Sequence, residues 1–316
     1  MNAGPRRTTA AAALSGLAPR LTERDFQIID ALDRFGVMTT TQIGAVWFPS
    51  PSAAHLRLGA LTGMGVLART RLDGSGAWRY TLDWIGQAIR ALRGDTRPPS
   101  RANAEWEVQR KFLSPNRAHD HGTVEAVAAL HLACHRSGNA RITEWLSETE
   151  ASHEFQGLRP DAAFTLETSD WRRLTAWYEH DTGTETLARL TAKIDAYHHR
   201  RSPLLPYNRK VLIAVSTPAR ARSLAHLVTD TGDLTVAVGP HPLVPPWRGD
   251  WASATHLLTE PHWQVLASRA GPCNLLDLTA PLSDKTVDIR MFLPHQHQPI
   301  SMGPSASPLQ RPHQRP

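Results

Sequence analysis

The order of short elements between residues 22 and 82 constrains the fold of this chain more than any other feature. Thr22 followed by Glu23 and Asp25 predicts a helix start, because a threonine hydroxyl caps free backbone N–H groups and acids suit the positive helix end. The helix is expected to end at Gly36. Its apolar residues recur at helical spacing: Phe26, Ile28, Ile29 and Leu32.

Two shorter helices and a hairpin are expected after Gly36. The first helix would be capped by Thr39 or Thr40, and the second would run over residues 52–63. Two strands would follow, over residues 67–72 and 78–82, and a glycine-rich turn over residues 73–76 would join them. Three helices followed by a β-hairpin is the order of a winged helix-turn-helix.

A winged helix suggests contact with duplex DNA, with the third helix in the major groove. The outward residues of that helix are expected to be Ser52, Ala53, His55 and Arg57. The hairpin would bring three arginines to phosphates, where they position the protein without reading bases: Arg69, Arg71 and Arg79. A winged helix used for protein contact is the alternative that this pattern leaves open.

The distribution of charge favours a polyanionic partner. The net charge is +6, and residues 1–100 carry 12 Lys and Arg against 7 Asp and Glu. Residues 101–316 carry 23 against 22, so the basic excess lies in the first third of the chain. A cationic face attracts phosphate backbones and other polyanions alike.

Strands alternate with helices in the second part of the chain, which predicts an α/β layer with a small mixed sheet. Helical spacing is clearest over residues 122–136 and 184–200, and compact strands are expected near 162–166, 174–178 and 211–215. The predicted divisions are a disordered arm (1–20), a winged helix (21–97), an α/β domain (101–240), and an irregular Pro-rich region with a disordered tail (241–316).

Carboxylates near two strands form the candidate chemical site. Asp161 precedes one strand, and Glu179 and Asp181 lie on the same face at the end of the next. Asp161 and Glu179 are expected to hold Mg²⁺ through oxygen ligands, and such an ion polarises a phosphodiester and activates water. Glu125 or Asp181 would assist them. The alternative is a structural network of hydrogen-bonded or helix-capping carboxylates.

This arrangement resembles the PD-(D/E)XK nuclease superfamily. Pro160-Asp161 is followed at nuclease-like spacing by Glu179-His180-Asp181, in which Asp181 occupies the position of the usual catalytic lysine. Lys193, on the following helix, is either the replacement for that lysine or a surface residue. Whether Lys193 points at the carboxylates therefore distinguishes a nuclease from a nuclease-like scaffold.

Several other classes are excluded by the sequence. Cys134 and Cys273 are too few for a disulfide framework, which indicates a reducing, cytoplasmic location. No run of about 18 apolar residues predicts a membrane span. The sequence has no Gly-Lys-Ser/Thr phosphate loop and no zinc-type spacing of Cys and His.

Taken together, these motifs resemble the actinobacterial replication-relaxation family. The resemblance rests on residues 21–25, 37–43, 48–50, Leu58 and Leu61, 65–67, His119, Glu125, 159–161, 179–185 and Lys193. It implies a winged helix fused to a nuclease-like α/β domain, acting on plasmid or mobile-element DNA beside plasmid replication or transfer proteins.

Three functions remain open at this point. The first is a duplex-DNA-binding protein of plasmid or mobile-element replication and DNA relaxation. The second is a Mg²⁺-dependent nicking endonuclease. The third is a transcriptional regulator whose second domain senses a ligand or dimerises.

Overall fold

The N-terminal part has the element order that the sequence predicts for a winged helix. The computed structural model describes residues 16–71, 77–153, 155, 157–200, 209–241 and 255–281. Three helices and three short strands make up the winged helix: α1 (Glu23–Phe35), β1 (Met38–Thr39), α2 (Thr40–Trp47), α3 (Pro51–Gly63), β2 (Leu67–Thr70) and β3 (Arg79–Leu82). The strands form an antiparallel sheet in the order β1-β3-β2.

Helix boundaries follow the capping residues closely. Thr22 and Asp25 form a reciprocal capping box at α1, and Gly36 ends the helix with a φ of 77°. Thr39 caps α2 and Ser50 caps α3, with Pro51 at the first helical position. The helix predicted from Ser52 therefore starts one residue earlier, and the capping interpretation of the other starts is confirmed.

Two predicted segments fall wholly or partly outside the described residues. The turn at residues 73–76 lies outside them, as do residues 1–15 of the predicted disordered arm. Ala18–Arg20 form a short 3-10 helix, and the carbonyl of Arg20 accepts a hydrogen bond from Arg57. The predicted disorder therefore does not extend to residue 20.

A larger mixed sheet forms the second part. Helices α4 (Trp84–Arg93) and α5 (Arg101–Phe112) lead to it, and α6 (Arg117–Ser137) covers one face. The elements that follow along the chain are β4 (Ala140–Ser147), α7 (Glu148–Ser152), β5 (Ala162–Thr168), β6 (Arg172–Asp181), α8 (Leu187–Arg200), β7 (Arg209–Val215), α9 (Pro218–Leu227) and β8 (Val236–Pro240).

The sheet reaches beyond the predicted domain end at residue 240. After α10 (His256–Thr259), β9 (Gln264–Val265) pairs with β8, and β10 (Ala280–Pro281) pairs with β6. Within the described residues the sheet thus has seven strands, in the order β4-β5-β6-β7-β8-β9 with β10 beside β6. Residues 255–281 are therefore part of the α/β layer, which corrects their assignment to an irregular region. Residues 282–316 lie outside the described residues.

Strand alternation sends side chains of β6 into two separate cores. Tyr178 packs with α6 and the winged helix, whereas Trp177 packs with α8 and α9 on the opposite face. Since β6 pairs antiparallel with β5 and parallel with β7, the carboxyl end of β6 lies beside that of β7 and the start of β5. This junction is where Asp161 and Glu179 lie.

The winged helix and the sheet share one continuous core. Helix α2 packs along α6, where the Gln42 amide nitrogen lies 2.9 Å from Nδ1 of His121. Phe35 stacks on Trp145 of β4 at 4.1 Å between ring centroids, and Arg34 pairs with Glu150 at 2.7 Å. The two predicted domains are thus packed directly against each other. None of the helices in the described ranges is long and apolar enough to cross a bilayer.

Candidate functional site

Asp161 and Glu179 meet at one edge of the large sheet. The register that pairs Ala162 with Tyr178 places Asp161 beside Glu179. The Asp161 carboxylate accepts a 2.7 Å hydrogen bond from the backbone N–H of His180, and Nε2 of His119 lies 3.1 Å from it. Asp161 is therefore fixed by β6 on one side and by the start of α6 on the other.

Lys193 points directly at the carboxylates. Its Nζ donates a hydrogen bond to one oxygen of Glu179, and the hydroxyl of Tyr197 donates to the other. Both donors lie on α8, four residues apart, and so share one helix face. Asp161, Glu179 and Lys193 consequently form a single cluster, which we call the sheet site.

The two carboxylates of the sheet site differ in pKa. Burial and the nearby charge of Asp161 raise the pKa of Glu179 to about 8, against the opposing effect of Lys193 and Tyr197. Burial would also raise the pKa of Asp161, but the hydrogen bond from His119 and the charge of Lys193 lower it below its ordinary value. Asp161 is thus ionised at neutral pH while Glu179 largely keeps its proton.

Two histidines behind Asp161 have opposite protonation. The carboxylates of Asp120, at 3.7 Å, and Asp161 raise the pKa of His119 to about 10, so this ring is an imidazolium. Burial and the neighbouring His241 lower the pKa of His180 to about 3. His180 stacks on His241 at 4.0 Å and lies against Gly122, where a Cβ would stand 2.0 Å from Nε2. A glycine is therefore needed at this position of α6.

The other two predicted catalytic acids are engaged elsewhere. Asp181 forms a two-point ion pair with Arg220 of α9 and accepts the backbone N–H of Gly183 at 3.0 Å. Glu125 lies on α6, where burial raises its pKa and a hydrogen bond with Gln42 opposes that shift. The structure brings three of the five predicted catalytic residues together.

Asp161 and Glu179 supply the oxygen ligands that a divalent cation would use. Within the described ranges, no group of three His, Cys, Asp or Glu side chains is arranged to hold a metal ion. Mg²⁺ commonly uses only one or two protein carboxylates and completes its shell with water and phosphate oxygens. The oxygens of Asp161 and Glu179 therefore fit Mg²⁺ in their donor chemistry, and the ion would take the place of the proton on Glu179.

The predicted DNA-contact residues fall into two groups. Ser52 and His55 on α3 are exposed, as are Arg69 and Arg71, whose guanidinium carbons each lie 4.2 Å from the ring centroid of Trp78. Arg57 is instead bound to Asp25, which is fully buried.

Arg79 is less exposed than the other two arginines of the hairpin. It is half-buried on β3 and close enough to His121 to help burial lower the pKa of that histidine. We call β2, β3, Trp78, Arg69 and Arg71 together the wing. Because Arg79 of β3 acts on His121, the wing lies beside the N-terminal end of α6. The sheet site contacts the same end of α6, since His119 lies against Asp161.

Sequence reasoning missed several residues of the sheet site. Tyr197 reads as one member of an apolar helix stripe, and only its partner Glu179 shows a second role. Arg220 lies 39 positions from Asp181, a separation that gives no sequence signal. His180 was visible between the two acids of β6, but its burial depends on Gly122 of a different element.

Fold and site together define an α/β protein with an N-terminal winged helix and an acid–lysine cluster on its sheet. The family model for replication-relaxation matches residues 29–203. This match covers more than half of the chain, which therefore belongs to the replication-relaxation family and has a role in replication or DNA relaxation. No curated protein and no solved structure matches the chain significantly. The matched range contains the wing, Asp161, Glu179 and Lys193.

Proposed function

We propose that this protein binds duplex DNA through its winged helix and acts in plasmid or mobile-element replication and DNA relaxation. The observation that carries the proposal is the pair of exposed arginines, Arg69 and Arg71, that share the ring of Trp78. Stacking limits the freedom of both guanidinium groups, and both side chains remain exposed. Such fixed cations suit phosphate contacts beside an exposed third helix.

The salt dependence of DNA binding tests this role. Each phosphate neutralised adds about 0.9 to the slope of log K against log salt concentration. Reversing both charges (Arg69→Glu with Arg71→Glu) should weaken binding at low salt and reduce the slope by about two. The matched control reverses two exposed arginines outside the winged helix, Arg222→Glu with Arg269→Glu. Equal slopes for the two double variants would contradict the groove model.

A second candidate function is Mg²⁺-dependent nicking of DNA at the sheet site. It is favoured by one observation, the contact between Lys193 and Glu179 beside Asp161. Asp161 and Glu179 would hold the ion, which when bound polarises a phosphodiester and activates water. Lys193 would stabilise negative charge that develops on the phosphate, and the His119 imidazolium keeps Asp161 ionised and in place.

Supercoiled plasmid incubated with protein and Mg²⁺, or with EDTA, distinguishes the two candidates. Nicking is expected for the native protein and for Asp170→Ala, which removes an exposed acid at the opposite end of β5. Asp161→Ala and Lys193→Ala should each lower the nicking rate at least about 100-fold. Plasmid that is shifted in a gel but never nicked would leave DNA binding as the function and eliminate nicking.

A further inference from the structure

Leu56 occupies an unusual place on α3. The core side of this helix consists of Ala54, Leu58 and Leu61, all fully buried. Leu56 lies on the other side and is 80% exposed, more than any other large apolar side chain in the described part of the chain. At this exposure Leu56 adds little to the core, and its apolar surface is available to a partner outside the fold.

The surroundings of Leu56 identify the kind of surface that it suits. Helix α3 contains no acidic residue, and its one charged side chain, Arg57, is bound to Asp25. Small residues near Leu56, Gly59 and Ala60, let the helix backbone approach a partner closely. Strand β2 of the wing contacts α3 and carries the exposed Arg69, with the exposed Arg71 directly after it. A helix without acidic residues, next to a wing that carries exposed cations, matches a groove whose walls are phosphates.

Only one base offers an apolar group in the major groove, namely thymine with its C5-methyl. We infer that Leu56 is a specificity-determining residue that packs against thymine methyl groups in the major groove. This inference rests on the proposed function, because it requires α3 to enter DNA. Ser52 and His55, exposed one turn before Leu56 and directly beside it, would hydrogen-bond to neighbouring base edges.

A comparison of thymine with uracil tests the inference without knowledge of the target sequence. Duplexes selected from a random pool with the native protein in EDTA are resynthesised with uracil in place of thymine, which removes only the methyl group. The native protein should bind the thymine duplexes roughly fourfold more tightly for each methyl group that it buries. Replacing Leu56→Ala should reduce that ratio to about one, and Leu56→Met should retain it.

Leu113→Ala is the matched control, because Leu113 is 72% exposed just after α5 and outside the winged helix. Its thymine-to-uracil ratio should equal that of the native protein. The inference is overturned if the native protein binds the thymine and uracil duplexes equally. It is also overturned if Leu56→Ala keeps the native thymine-to-uracil ratio, which would favour contact of Leu56 with a protein partner instead. Failure of the native protein to bind any duplex at low salt would instead refute the proposed function itself.

Discussion

The wing and the sheet site hold their charges in opposite ways. On the wing, Arg69 and Arg71 are exposed and lie against an aromatic ring, so their charges remain available to an incoming ligand. In the sheet site, Glu179 is 3% exposed and bound by Lys193 and Tyr197, and Asp161 is bound by His119 and His180. The wing can bind at once, whereas the sheet site must exchange existing contacts before it can bind an ion.

This difference separates charges that serve the fold from charges that serve a ligand. A buried charge without its partner is costly, whereas an exposed charge contributes little to stability. Stability measurements can therefore identify which charged residues belong to which group, independently of any activity assay.

The largest effect on stability is expected at Arg57, which lies in the winged helix but, like the charges of the sheet site, is paired with a buried group. Replacing Arg57→Ala leaves Asp25 fully buried without its countercharge and should lower the free energy of unfolding by about 3 kcal/mol. Arg69→Ala removes only an exposed contact with Trp78 and should lower it by at most about 0.5–1 kcal/mol. Denaturant unfolding of both variants measures these two free-energy changes. Similar losses of stability in the two variants would contradict the distinction between the two groups of charges.

The sheet site should make stability depend on pH. Because the folded protein raises the pKa of Glu179 from 4.5 to about 8, it binds this proton more tightly than the unfolded chain does. The resulting stabilisation is complete below pH 4.5 and is lost as the pH rises through 8. Glu179→Gln should therefore become progressively more stable relative to the native protein between pH 5 and pH 8.

Unfolding midpoints of the native protein and of Glu179→Gln, measured across that pH range, test the direction of this change. Glu105→Gln, which removes an exposed carboxylate on α5, is the control and should follow the native protein at every pH. A Glu179→Gln curve parallel to the native one would mean that Glu179 titrates normally in the folded protein.

A smaller loss is expected at Gly122. A methyl group there would collide with the His180 ring, whose backbone N–H holds Asp161. Gly122→Ala should cost about 1–3 kcal/mol of stability through overpacking. Any nicking by the protein should fall with it, since Asp161 loses its fixed position. Gly271→Ala is the matched control, because a Cβ at Gly271 meets nothing within 4 Å and the residue lies outside the winged helix.

The smallest effect is expected at Trp78. Each arginine–ring contact is worth about 0.5–1 kcal/mol at an exposed site. Trp78→Leu should therefore weaken DNA binding only about threefold, while the salt slope stays unchanged because both charges remain. A lower slope would mean that the ring itself places the arginines on phosphates.

Local signals in the sequence predicted most of the elements, and their physical basis is clear. Thr22, Thr39 and Gly36 act within one helical turn, so their effect is visible without tertiary structure. Strands β5, β6 and β7 are long enough for their composition to show. Strands β9 and β10 have two residues each, which is too short for any pattern, and so the full extent of the sheet was missed.

The sequence predicted those residues of the sheet site whose positions are set by the pairing of neighbouring strands. Asp161 and Glu179 meet because neighbouring antiparallel strands bring them together, which strand alternation anticipates. Arg57 was assigned to DNA contact and Asp181 to the catalytic site because their partners, Asp25 and Arg220, are distant in sequence. The role of Lys193 depends on how α8 packs against β6, which no local pattern in the sequence reveals.

The continuous core under α2 limits how this protein can change by recombination. Residues 42–47 of α2 are buried, with α6 lying against that helix, so the winged helix is not a detachable module. Exchanging it for an unrelated winged helix would remove the helix that packs on α6 and leave His121 without its hydrogen bonds to Gln42. The two halves of the gene are therefore expected to descend together, with any compensating changes shared between α2 and α6.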